Sequence, residues 1–124
     1  LRSQKRLLAL RTLFDNEAWA DVVREAQEIV ELSLKALLRS TNIEIPRIHD
    51  VSAILHEERA RMPRALQPHL KTLGQISRDL RRDRELAFYG SEDLTPSEFY
   101  VKDDAKKALE QATWVIETVK EHIS

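Results

Sequence analysis

Cysteine is missing from this 124-residue chain, and glycine (two), proline (four), tryptophan (two) and tyrosine (two) are scarce. Without cysteine there is no disulfide, no thiolate nucleophile and no thiolate metal ligand. Two glycines cannot build a phosphate-cradling glycine loop, and neither the GxSxG nor the HExxH pattern of hydrolytic enzymes occurs. No apolar run approaches the roughly 20 residues that a membrane helix requires. Neither sign of charge is in excess: 20 lysines and arginines face 21 aspartates and glutamates, a formal net charge of −1. That balance argues against a general nucleic-acid coat protein and leaves room only for local patches. A reducing cytoplasm is the least demanding location for such a chain.

What the chain does have is apolar residues, 42% of the total, recurring at spacings of three and four. With so few turn formers, this spacing predicts an all-helical domain spanning 1–124, and strands have nowhere to go. At this length about two thirds of the unfolded chain's surface can be buried on folding, so neither a metal nor a crosslink is needed.

The first helix is expected from about Arg2 to Phe14, with Asp15 or Asn16 capping the second. That second helix carries Trp19, Val22, Val23, Ala26, Ile29, Val30, Ser33 and Leu37 inward, and Glu31 four residues ahead of Lys35 outward, a favourable surface pair. Thr41-Asn42 and Pro46 end it. Asp50 is placed to cap a third helix with Val51, Ile54, Leu55 and Met62, ending near Pro63, and Pro68 is expected to open a long fourth, for which Gly90 is the left-handed cap. Thr95-Pro96-Ser97-Glu98 reads as a capping box. From Asp103 a final helix keeps Ala105, Ala108, Leu109, Ala112, Val115, Ile116, Val119 and Ile123 on one stripe.

Leu80 to Gly90, LRRDRELAFYG, is the most informative segment. At about 100° per residue, Leu70, Leu73, Ser77, Leu80, Ala87 and Phe88 share a stripe that also contains Arg84, while Lys71, Arg78, Arg81 and Arg82 form a separate basic face. An arginine cannot shed its proton, so one on an apolar stripe must find a carboxylate, carbonyls, a bound phosphate or water at a subunit seam. Asp79, Asp83 and Glu85 interrupt the basic face, which reads first as a solvated surface and second as an RNA track. Tyr89 could stack on a base, touch a phosphate or simply pack.

Taken in order, WADVVREAQEIVELSLKALL, PRIHD, ISRDLRRDRELAFYG and SEFYVKDDAKKALEQATWVIETV resemble the HEPN domain, the helical module named for higher eukaryotes and prokaryotes nucleotide-binding. The resemblance runs from about Trp19 to Val119. It implies an up-and-down bundle of four or five helices, often a homodimer, frequently encoded beside a small nucleotidyltransferase-fold partner. Many such relatives are ribonuclease toxins that cut RNA without metal, using an arginine followed four to six residues on by a histidine. Here Tyr89 stands at the histidine position counted from Arg84, and Phe88 or Tyr89 when counted from Arg82. A tyrosine with an ordinary pKa of about 10 is a poor base at neutral pH, whereas histidine near 6.5 can take and return a proton.

The resemblance and the residues together imply a nucleotide- or phosphate-binding module with Arg84, Tyr89, Arg82, Arg78 and Arg81 as candidate ligand contacts. No catalytic residue, metal ligand or cofactor is assigned. A homodimer, a nucleotidyltransferase-fold protein, and a nucleotide or RNA are the expected partners, with no membrane. Two alternatives remain open: a metal-independent ribonuclease toxin acting in a dimer cleft, and a purely structural homodimer whose Arg84 locks a seam. A formal arginine–histidine spacing at Arg64 and His69 straddles Pro68, and His49-Asp50 lacks the further ligands that a metal site would need.

Overall fold

The computed structural model describes the backbone of residues 2–45, 50–89 and 102–123, and the side chains of 5–45, 50–83 and 102–123. Among the described residues the chain forms α1 (Arg2–Asp15), α2 (Trp19–Ser40), α3 (Val51–Glu57), α4 (Leu70–Tyr89) and α5 (Lys102–Val119). Short 3-10 turns lie at Arg59–Arg61, Arg64–His69 and Lys120–His122. No strand occurs among these residues, so the all-α expectation holds. No helix among them is long and apolar enough to cross a membrane.

The bundle is organised around α2, which packs against α5, α1 and α4 and more lightly against α3. Val22, Val23, Ala26, Ile29, Val30, Leu34, Leu37 and Leu38 are all buried, together with Gln27 and Ser33. This is wider than the single inner stripe read from the sequence, because neighbours cover more than one side of the helix. Ser33 is accommodated by donating its hydroxyl to the Ile29 carbonyl at 2.8 Å, within its own helix. From α5, Ala105, Ala108 and Ala112 turn into the core. Their short side chains let the two backbones approach, and Val115, Ile116 and Val119 fill the far end.

The turns explain where the sequence reading of helix ends departs from the structure. Neither Asp15 nor Asn16 caps α2; its N-cap is Ala18, which has no side chain to contribute. Residues 16–18 are consumed in closing α1, where Glu17 N–H bonds the Phe14 carbonyl and Ala18 N–H the Leu13 carbonyl, both at 3.0 Å, with Glu17 at φ 59°. The Asn16 side-chain amide turns back to the Thr12 carbonyl at 2.9 Å, and Trp19 meets Phe14 edge-on with ring centroids 5.2 Å apart. The same device ends α2: Asn42 sits at φ 62°, and Asn42 and Ile43 N–H groups bond the Arg39 and Leu38 carbonyls. Ile43 is then buried against the core.

Asp50 caps α3 as expected, accepting from Ser52 N–H. Helix α3 stops at Glu57, earlier than Pro63, and Pro68 lies inside a 3-10 turn just ahead of α4. Gly90 and Thr95-Pro96-Ser97-Glu98 lie outside the described residues.

Asparagine adopts the left-handed region readily and glutamate does not. Glu17→Gly should therefore raise unfolding free energy, by up to about 1 kcal/mol after the added flexibility of the unfolded chain is subtracted. Urea unfolding followed by circular dichroism measures it, and a loss of stability would contradict the left-handed turn.

Candidate functional site

Helix α4 divides its residues cleanly. Leu70, Leu73, Ile76, Ser77 and Leu80 are buried against the rest of the bundle, and Lys71, Arg78, Arg81 and Arg82 lie outside this stripe. The four that share a face in the sequence have three different environments. Arg81 reaches across the bundle: its Nη2 lies 2.6 Å from Glu31 Oε1 on α2, and its Nη1 lies 3.1 Å from Asp50 Oδ1 at the start of α3. Glu31 thus turns to Arg81, a tertiary partner, where the sequence suggested a surface pair with Lys35. The planar guanidinium suits this task because its fork holds two carboxylates at fixed angles.

Arg82 is exposed, its side chain at 66%, with Asp79 at 3.6 Å and Asp83 at 3.8 Å. Ion pairs of that length at a solvated surface contribute little. Arg78 donates to Gln75 Oε1 at 2.9 Å, and Gln75 in turn donates to Asp79 Oδ1 at 2.8 Å. Arg78 also shares with Lys71 a pocket between α3 and the first half of α4.

Asp50 is the hub of the α3 end. Its Oδ1 accepts from Ser52 N–H at 3.0 Å and Ser52 Oγ–H at 2.7 Å besides receiving Arg81. Burial alone would raise its carboxyl, but the two Ser52 hydrogen bonds, and then the Arg81 and Arg78 charges, outweigh it and hold Asp50 below its ordinary value. Asp83 moves the other way. Burial, reinforced by Asp79 and Asp104, raises its carboxyl despite Arg82 and Lys107.

Positions 84 to 89 continue α4 without a break, so the helical register puts position 84 in line with Leu73, Ser77 and Leu80. The side chains of Arg84, Phe88 and Tyr89 lie outside the described residues, as does His49. His69, of the formal spacing with Arg64, sets its ring edge-on to Trp114 at 5.7 Å between centroids, while Arg64 is exposed at the start of the same 3-10 turn. No group of acidic and histidine side chains suited to a metal ion occurs among the described residues.

The family model of the HEPN domain matches residues 1–122. The chain belongs to the HEPN domain family. No curated protein and no solved structure matches it. A HEPN domain is a nucleotide-binding, ribonuclease-like helical module, and such domains commonly dimerise. In this HEPN domain the tail of α4 carries Arg84 and Tyr89.

The Arg81 link was not legible in the sequence, since Glu31 and Asp50 are separated from it by long stretches of chain. The only signal was indirect: two acidic side chains and one basic one, distributed over three predicted helices. The pocket residues on α3 and the following turns carry no sequence signal for the same reason.

Asp50→Asn keeps a capping acceptor and removes the charge, so it isolates the electrostatic contribution. A carboxyl held low on folding adds stability that is present above its unfolded pKa and disappears as pH falls through its folded one. The variant should therefore be less stable than the parent near pH 7, by about 1 kcal/mol or less for so exposed a group, and the gap should close below about pH 3. Denaturant midpoints at the two pH values test this; a gap that widens on acidification would contradict the geometry.

Proposed function

We propose that residues 1–124 act as one HEPN domain that binds a nucleotide or another phosphate-bearing ligand at the tail of α4, dimerises, and works with a nucleotidyltransferase-fold partner in a toxin–antitoxin-like setting. The observation that carries this reading is the family match over 1–122, and the resemblance read from the sequence, which implies Tyr89 where the ribonuclease members have histidine, supports binding over cleavage. An arginine can hold a phosphate regardless of that exchange, because its fork matches the phosphate oxygens and its charge is permanent. Proton transfer to and from a ribose hydroxyl is another matter, and Tyr89 is poorly suited to it at neutral pH.

The register of α4 supports Arg84 as the ligand contact, since its position continues the row of Leu73, Ser77 and Leu80. Arg82 and Tyr89 lie within about a turn and a half of it along the helix. Arg81, tied to Glu31 and Asp50 and about a turn ahead of Arg84, is suited to a positioning role. The ribonuclease reading has no observation of its own in its favour, and neither has the purely structural dimer.

Arg84→Ala should abolish binding of a nucleoside monophosphate in calorimetry while helical content stays near that of the parent, and monophosphate binding that survives the substitution would reject this site. The purified domain should show no cleavage of single-stranded RNA over buffer controls. Cleavage that vanishes in Tyr89→Phe would instead make the domain a nuclease.

A further inference from the structure

Seven residues separate Lys71 from Arg78, two turns of α4, and both line a pocket of about 520 Å3 between α3 and α4. Arg59, on the turn after α3, lines it too, and His56 adds a ring nitrogen from the last turn of α3. None of the described residues that line it is acidic. This is unusual for a chain with as many acids as bases, and it distinguishes the pocket from the surface around Arg82, where Asp79 and Asp83 stand beside the arginine.

The floor is built by small residues. Gly74 lies opposite Ser52, and a Cβ at position 74 would stand 3.7 Å from the Ser52 Cβ and 3.4 Å from Arg78 Nη1. The absence of a side chain there keeps the space below the Arg78 guanidinium open. The wall is held rather than loose: Gln67 Nε2 donates to the Arg59 carbonyl at 2.7 Å and the Met62 carbonyl at 3.2 Å, and Arg59 Nη1 donates to the His56 carbonyl at 2.8 Å. Arg59 and Arg78 thus each commit some of the fork to a neutral acceptor, and no described residue lining the pocket sets a carboxylate against them, the nearby Asp50 being shared with Arg81.

We propose that this pocket is a binding site for a small molecule carrying at least two phosphate groups, distinct from the α4 tail and independent of the reading given to Arg84. Three permanent cations from two elements suit a multiply charged anion, and a single carboxylate would leave most of that charge uncompensated. The volume falls within the range of small-molecule sites and exceeds the needs of a lone phosphate. Leu70 and the aliphatic stem of Lys71 provide apolar surface for the remainder of the ligand.

Calorimetric titration of the whole chain at low salt with inorganic pyrophosphate, and in a second arm with ADP, tests the site. Lys71 and Arg78 are both exposed, so Lys71→Glu and Arg78→Gln should fold as the parent does, which circular dichroism verifies. Each should weaken pyrophosphate binding about tenfold or more when measured in an Arg84→Ala background, where any contribution of the α4 tail is removed. Tighter binding of ADP than of pyrophosphate identifies a nucleotide as the source of the phosphates; equal binding identifies the diphosphate group alone. Three outcomes overturn the proposal: neither probe binds; binding is indifferent to Lys71→Glu and Arg78→Gln; or a single-stranded RNA binds where both small probes fail.

Discussion

Burial of α2 on several sides is the constraint on which the rest of this domain depends. A helix covered by α1, α4 and α5 must present a broad apolar face, and Val22, Val23, Ala26, Ile29, Val30, Leu34, Leu37 and Leu38 supply it, with Gln27 and Ser33 as the buried polar exceptions. The other helices then need only one apolar stripe each, which leaves their outer faces free for charge. That division is what allows α4 to carry a buried row from Leu70 to Leu80 and, on its other faces, four basic residues.

Those four residues divide into distinct tasks. Arg81 is spent on structure, joining α2 to the start of α3 through Glu31 and Asp50, and its partners are shielded enough for the pairing to matter more than the looser pairs of Arg82. By fastening the N-terminus of α3 to α4, the same link sets the spacing of the pocket beside it. Asp50 works from both directions, as helix cap and as counter-ion, and its depressed carboxyl reflects that double use. Lys71 and Arg78 line the pocket, and the Arg78 charge also acts on Asp50.

The proposed function separates two halves of the family's chemistry. A tyrosine hydroxyl such as that of Tyr89 can donate to a phosphate oxygen, whereas at an ordinary pKa of about 10 it keeps its own proton at neutral pH and cannot take another group's. Binding and cleavage are separable here because they draw on different properties: a permanent charge suffices for one, and a group that titrates near neutrality is needed for the other.

The helices themselves were legible from periodicity alone, because apolar spacing and a shortage of turn formers are properties of the local chain; so was the Asp50 cap, which involves a residue only two positions away. Even the resemblance to the HEPN family rests on order and spacing along the sequence. Helix ends were less legible. Asp15 and Asn16 look like caps, but the left-handed turn at Glu17 absorbs them, a choice set by how α1 must turn to meet α2. Leu34 and Leu38 fall outside the inner stripe that periodicity picks out, since the number of neighbours around α2 is a tertiary quantity. The pairing of Arg81 with Glu31, 50 positions away, and the acid-free pocket joining α3 to α4 were decided only by packing. Periodicity tells which face of a helix turns inward, whereas the charges that meet across the bundle depend on the rotation and height of one helix against another, and those are set by the whole core at once.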